Sequence, residues 1–358
     1  MLAASAANLL APRSEAGSPL REAGTAAVSS TSGPVDIAVN SRTNRIYAAM
    51  RALGELLIID AKDNSQRSVP VGIQPSYIAV NETTDKVYVG NIVSGTVSIV
   101  EGDGSSVATV KVGVERDISD IDLNPVTNKI YVVNLKSDNV VEINGTDNSI
   151  KTIKVGMTPE NVAVNSVTNK IYVTNRGVNT VSVIDGTSHS VEEVPVGVLP
   201  RFIAVDAERN RVLVVNERDN SLTILDGKDN STRTVKVGEY PTAVGVSKKT
   251  GKVYVASDTL ETVTVVDPMD LSIETVNVGR TTNDIAIDQT LDSINIVNSV
   301  ANSISIIDGA TSQVQTLTVG ALPTAIAVNP VTHVVYVANF SSGDISVIFP
   351  QMVIKLGK

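Results

Sequence analysis

The chain predicts an all-β fold, a β-propeller of four-stranded antiparallel blades, and three observations carry that prediction. One phrase recurs along it: a small residue, Ile or Val, Ala, Val and Asn, a polar turn, then Ile-Tyr-Val-x-Asn, as in residues 159–165 followed by 170–175. A Val-Gly pair closes most copies, at Gly72, Gly113, Gly156, Gly197, Gly238, Gly279 and Gly320, spaced by 41 residues except for one step of 43. Within each copy the apolar residues fall into four short runs, seen in the fourth copy at 162–164, 171–173, 181–184 and 191–196. A fixed period near forty residues marks a repeat architecture. Short runs rich in Val, Ile and Thr, bounded by Asn, Asp, Gly and Pro, are strands joined by tight turns. No window carries the periodicity of an amphipathic helix. Four antiparallel strands at this period describe a propeller blade.

Units begin near Pro34, Pro75, Ile118, Pro159, Pro200, Pro241, Thr282 and Pro323, which predicts eight blades, with seven as the alternative. The first strand of each unit carries a small residue at Ala38, Ala79, Ala163, Ala204, Gly245, Ala286 and Ala327, because blades crowd together near the axis. In the third unit Asp122 takes that place. Turns such as 124–129 join the first two strands, with Asn128 suited to a left-handed conformation. The second strand ends on Asn91, Asn134, Asn175, Asn216, Asn298 or Asn339, expected to bond its own backbone and start the next turn. The longer step falls in the third unit, where residues 114–118 insert two positions.

Residues 1–33 lack the repeat and read as a flexible segment, and residues 34–358 read as one propeller domain. The stretch 1–11 is similar to the apolar part of an export signal, without the basic residue that normally precedes it. Ring closure requires a strand from one terminus. Residues 25–30 precede Pro34 at the distance at which 150–155 precede Pro159, so the N-terminal segment is expected to close the ring, in competition with 352–356.

Hydrophobic residues make up 42% of the chain, with three Phe and no Trp, so Val, Ile, Leu and Ala must build the core. The absence of cysteine excludes disulfides, zinc–thiolate sites, iron–sulfur clusters and cysteine nucleophiles. A net charge of −9, with basic residues scattered through turns, argues against a nucleic-acid partner, which needs a concentrated basic surface. No apolar run reaches the length of a spanning helix. A monomer is expected, with no cofactor and no metal.

The pairing of residues 171–175, Ile-Tyr-Val-Thr-Asn, with 180–185, Thr-Val-Ser-Val-Ile-Asp, resembles the YVTN-repeat β-propeller family. The resemblance covers roughly residues 34–349. It implies a secreted, periplasmic or surface-layer protein of bacterial or archaeal type, and it implies no particular reaction.

Strand direction places the blade-to-blade connections and the second-to-third strand loops on one face, where propeller pockets usually open around the channel. The ligand-binding candidates there are Asp36, Tyr77, Asp120, Asn161, Phe202 and Asp284, two residues after their unit starts, joined by Asp122, Arg201, Tyr240 and Arg280. Arg51, Arg176, Glu217 and Arg218 add charge in neighbouring loops. A buried carboxylate such as Asp122 is costly unless hydrogen-bonded or paired. With Asp36, Asp120 and Asp284 it raises a calcium-binding option through oxygen ligands, against the plainer reading of solvated carboxylates. The two histidines, His189 and His333, fall in turns on the opposite face four units apart, so Ser–His–Asp or multi-histidine chemistry is poorly supported. Both read as solvated turn residues.

The leading expectation is a non-catalytic scaffold that presents its loops to a protein, peptide or glycan ligand. The alternative is a carboxylate- and arginine-based lactonase- or lyase-like enzyme at the channel mouth. In that case Arg201 or Arg280 holds an anionic substrate and Glu160, Asp120 or Asp284 serves as base.

Overall fold

The computed structural model describes residues 24–26, 33–259, 261–280 and 282–350, and these form eight four-stranded antiparallel sheets around a common axis. The stretches 1–11 and 352–356 lie outside the described residues. Blade 1 runs Ile37–Asn40, Arg45–Met50, Glu55–Asp60 and Gln66–Pro70, from the axis outward. Later blades repeat this order from inner strands Pro75–Asn81, Ile118–Asn124, Pro159–Asn165, Pro200–Asp206, Pro241–Val246, Thr282–Asp288 and Pro323–Val328. Successive inner strands pack side by side and the last returns to the first. The eighth sheet takes its outer strand from Gly24–Ala26, antiparallel to Asp344–Ile348.

The core lies between blades. Each of the eight blade interfaces holds its own apolar cluster, such as Tyr131, Val133 and Ile153 against Val162, Ile171 and Ile184 between blades 3 and 4. Across the closure, Ile37, Ile46 and Met50 meet Ala325, Tyr336 and Ile345. The tyrosine of the recurring phrase is fully buried in these interfaces at Tyr47, Tyr88, Tyr131 and Tyr172. Removing such side chains from water is the main stabilising contribution, about 25 cal/mol per Å² of apolar surface.

The asparagine that ends the second strand differs from expectation. It reaches the third strand of its own blade: Asn175 Nδ2 donates to Ser182 Oγ at 2.8 Å and Thr180 Oγ1 at 3.0 Å, and Asn298 and Asn339 bond Ser305 and Ser346 in the same way. These asparagines are buried, so a partner across the strand satisfies them better than a turn at the surface. The glycine of the Val-Gly pair belongs to the same device. A Cβ on Gly156 would stand 2.6 Å from Asn175 Cγ, and Gly72, Gly197, Gly279 and Gly320 meet their own asparagines as closely.

On the face opposite the candidate residues, the residue ending each inner strand reaches the turn of the next blade. Asn40 bonds Asp85, Asn81 bonds Asn128, Asn124 bonds Asn169, Asn165 bonds Asn210 and Asn329 bonds Asn44, at 2.7–2.9 Å. Ser247 bonds Asp292 and Asp288 bonds His333. In blade 5 Asp206 instead pairs with Arg211 at 2.7 Å, and Arg211 reaches Gly251 O. The turn partners Asn44, Asp85, Asn128, Asn169, Asn210, Asp292 and His333 have φ of 50–59°. Asn and Asp tolerate this left-handed region best. The two-residue insertion has a local explanation too: Asp117, 1% exposed, accepts the N–H groups of Lys136 and Ser137 and the hydroxyl of Ser137.

Candidate active site at the channel mouth

Inner strands from the second blade to the eighth slip register within their first residues, between Pro75 and Tyr77, Ile118 and Asp120, or Pro200 and Phe202 for example. Such bulges re-aim a side chain, and here they fall on the candidate positions. Asp36 accepts Ile37 N–H with one oxygen and Ile78 N–H of the next blade with the other, both at 2.8 Å. Asp120 does the same with Ile121 and Val162 at 2.9 Å and adds Asn161 Nδ2 at 3.0 Å. Asp284 holds Ile285 and Ile326, and Asp122, deeper in the channel, holds Leu123 and Val164.

These aspartates are half-buried, walled in by the ring. Burial is the largest cause that lifts Asp36 and Asp122 to a pKa of about 7 and Asp120 and Asp284 to about 6, while the amide bonds oppose it. Asp36 is raised further by Asp284 and Asp120, and Asp122 by Asp120, so the carboxylates feel one another across the channel. Their oxygens are taken by backbone amides of separate blades. Among the described residues no group of three metal-ligating side chains is placed to hold an ion, which corrects the calcium option.

A second charged group adjoins Asp120. Glu160, its side chain 13% exposed, meets Arg201 Nε at 2.8 Å and Arg176 Nε at 3.6 Å, and Arg201 Nη1 meets Glu217 at 3.3 Å. The Arg201 guanidinium stands 5.0 Å from the centre of the Phe202 ring. Tyr77 is half-buried; burial first, then Asp120, raises its pKa to about 12, with Arg51 opposing and Asp36 and Glu160 adding. The Arg51 Nε donates to Ser76 Oγ at 2.9 Å. Arg51, Tyr77, Asp120, Asn161, Glu160 and Arg201 therefore form one arc over blades 1 to 5.

Two candidates lie apart from it. Tyr240 is 57% exposed, its N–H held by Asn220 Oδ1, and Arg280 is exposed. Neither bonds a channel carboxylate among the described residues. The histidines are not merely solvated: His189 Nε2 meets Glu142 at 3.0 Å and Nδ1 meets Lys151 at 2.8 Å, while His333 Nδ1 meets Asp288 at 2.7 Å. Sequence reading took Glu160 as a base and missed its role as anchor of two arginines. The signal was present, since Glu160 stands where other units have Ser76, Ser119, Thr242 or Thr324. A surface hollow of about 440 Å³ beside Asp138, Met157 and Glu193 shares no residue with the arc.

No family model matches the chain, and no curated protein matches it. Solved structures do. Hydrazine synthase of Kuenenia stuttgartiensis is 17% identical with a TM-score of 0.64, covering 91% of this chain and 98% of that one. A streptogramin B lyase is 11% identical with a TM-score of 0.63, covering 92% and 97%. Virginiamycin B lyase from Staphylococcus aureus is 12% identical with a TM-score of 0.64, covering 77% and 95%. At such identity the likeness establishes the propeller fold. The three named here are enzymes, which counts against the expectation of a non-catalytic scaffold and in favour of its enzymatic alternative.

Proposed function

We propose that the channel mouth is the active site of a lyase- or lactonase-like enzyme acting on a small anionic substrate. The observation that carries this reading is Asp120, a carboxyl with a pKa of about 6 set between Tyr77 and the Glu160–Arg201 pair. A base poised near neutrality is what general base catalysis needs. In the lyase form, ionised Asp120 takes a proton from the carbon next to a carbonyl. The electron pair forms a double bond as the carbon–oxygen bond one position further breaks. Tyr77, protonated near neutral pH, donates its proton to the departing oxygen, and solvent returns a proton from Asp120 to Tyr77. Arg201 and Arg51 orient the substrate's negative charge.

The test is turnover of lactones and β-substituted carboxylates by the purified protein. Asp120→Asn is expected to lower kcat by about 100-fold or more, and kcat/KM of the unaltered protein is expected to fall as pH drops below about 6. Full activity in Asp120→Asn, or none on any such substrate, defeats the reading. We propose further, on the recurring phrase at 171–175 and 180–185, that the chain belongs with the YVTN-repeat propellers and works outside the cytoplasm; fractionation of cells that make it tests the location.

A further inference from the structure

The inner strands present eight amides at the upper layer of the channel, and three carboxylates hold six of them. Asp36 in blade 1 holds Ile37 and Ile78, Asp120 in blade 3 holds Ile121 and Val162, and Asp284 in blade 7 holds Ile285 and Ile326. The carboxylates thus sit on alternate blades, each bridging to the next. Blade 5 breaks the alternation with Phe202. The amides that a carboxylate there would bridge are those of Ile203 and Val244, which occupy the same register as their counterparts, opposite Val214 and Val255. Among the described residues no side-chain acceptor meets either N–H, in contrast to the six counterparts. Both residues are half-buried, as are Ile78 and Ile285 among the held counterparts.

We propose that this amide pair between blades 5 and 6 is a subsite for the carboxylate of a small-molecule ligand, one oxygen on Ile203 N–H and the other on Val244 N–H. The protein builds the same arrangement three times from its own side chains, so the spacing of adjacent inner strands is shown to suit a single carboxylate. Hydrogen bonds to an ionised acceptor are roughly twice as strong as neutral ones, and converging backbone N–H groups bind anions. The charge distribution favours this sector. It alone in the layer lacks an aspartate, and two acids of the neighbouring loops, Glu160 and Glu217, are both paired with Arg201. Phe202 packs into the apolar cluster of blades 5 and 6 and supports Arg201 on its ring. Among the described residues the deeper amides that Asp122 does not reach also lack side-chain acceptors; what distinguishes the upper pair is its place at the mouth with an arginine beside it.

The proposal deepens the enzymatic reading and rests on it only for turnover; binding is tested separately. Acetate is titrated into the ¹⁵N-labelled, deuterated protein at fixed ionic strength, with chloride as control. Saturable, acetate-specific shifts at the Ile203 and Val244 amides are expected, and they should be lost in Phe202→Asp, which supplies the bridging carboxylate internally. Asp284→Ala frees an equivalent pair and should create a second response at Ile285 and Ile326. This keeps the test decisive where Phe202→Asp does not fold. Absence of an acetate-specific response at Ile203 and Val244, or no gain in Asp284→Ala, overturns the subsite. Turnover without that response leaves the enzyme standing and removes the subsite; the response without turnover does the reverse.

Discussion

Asp122 illustrates how one side chain couples the channel to stability. Its pKa is raised from 3.8 to about 7, so the folded chain binds that proton more tightly than the unfolded one. The resulting stability is fully present below the unfolded value and is lost as pH rises through about 7. Other blades carry Ala or Gly there and, among the described residues, leave the corresponding amides without a side-chain acceptor. Asp122→Ala is therefore expected to stabilise the protein near pH 8, on the order of 1 kcal/mol after the lost amide bonds are counted. Near pH 4 the same change should destabilise it. Denaturant melts at the two pH values check this, and identical pH dependence of variant and parent contradicts it. The position was legible in the sequence as a break in the repeat. Its two amide partners were not, because Val164 lies in another blade.

At the scale of the strand, the Val-Gly pair and the terminal asparagine act together. Gly156→Ala drives a Cβ against Asn175 Cγ and is expected to destabilise by about 1–3 kcal/mol, as overpacking does. Asn175→Ala leaves Ser182 and Thr180 without that donor, with an expected loss of about 1–2 kcal/mol. In the double variant the clash has no opponent, so the two losses should fall short of additive. Equilibrium unfolding of the four proteins measures the coupling, and strict additivity refutes the shared device. Sequence spacing showed that glycine and asparagine recur together. Their contact emerged only from the way the chain entering a blade passes over the end of its second strand.

The whole molecule depends on closure. Among the described residues Gly24–Ala26 is the only strand beyond Asp344–Ile348 in the eighth sheet, and without it that edge would present unpaired N–H and C=O groups. A chain lacking residues 1–27 is expected to melt at lower temperature and to self-associate, read by calorimetry and sedimentation; an unchanged melt and a monodisperse species contradict this. Period, blade number, strand order and turn residues were determined by the sequence alone, because they follow from side-chain alternation and turn chemistry over a few neighbouring residues. Which residues meet at the mouth was decided by tertiary structure. Asp36, Asp120 and Asp284 come from blades 1, 3 and 7, bulges set the direction of the last two, and the burial that lifts their pKa exists only when the ring is complete. The open amide pair beside Phe202 belongs to the same level, since an unpartnered N–H is defined by what the neighbouring blade does not bring to it.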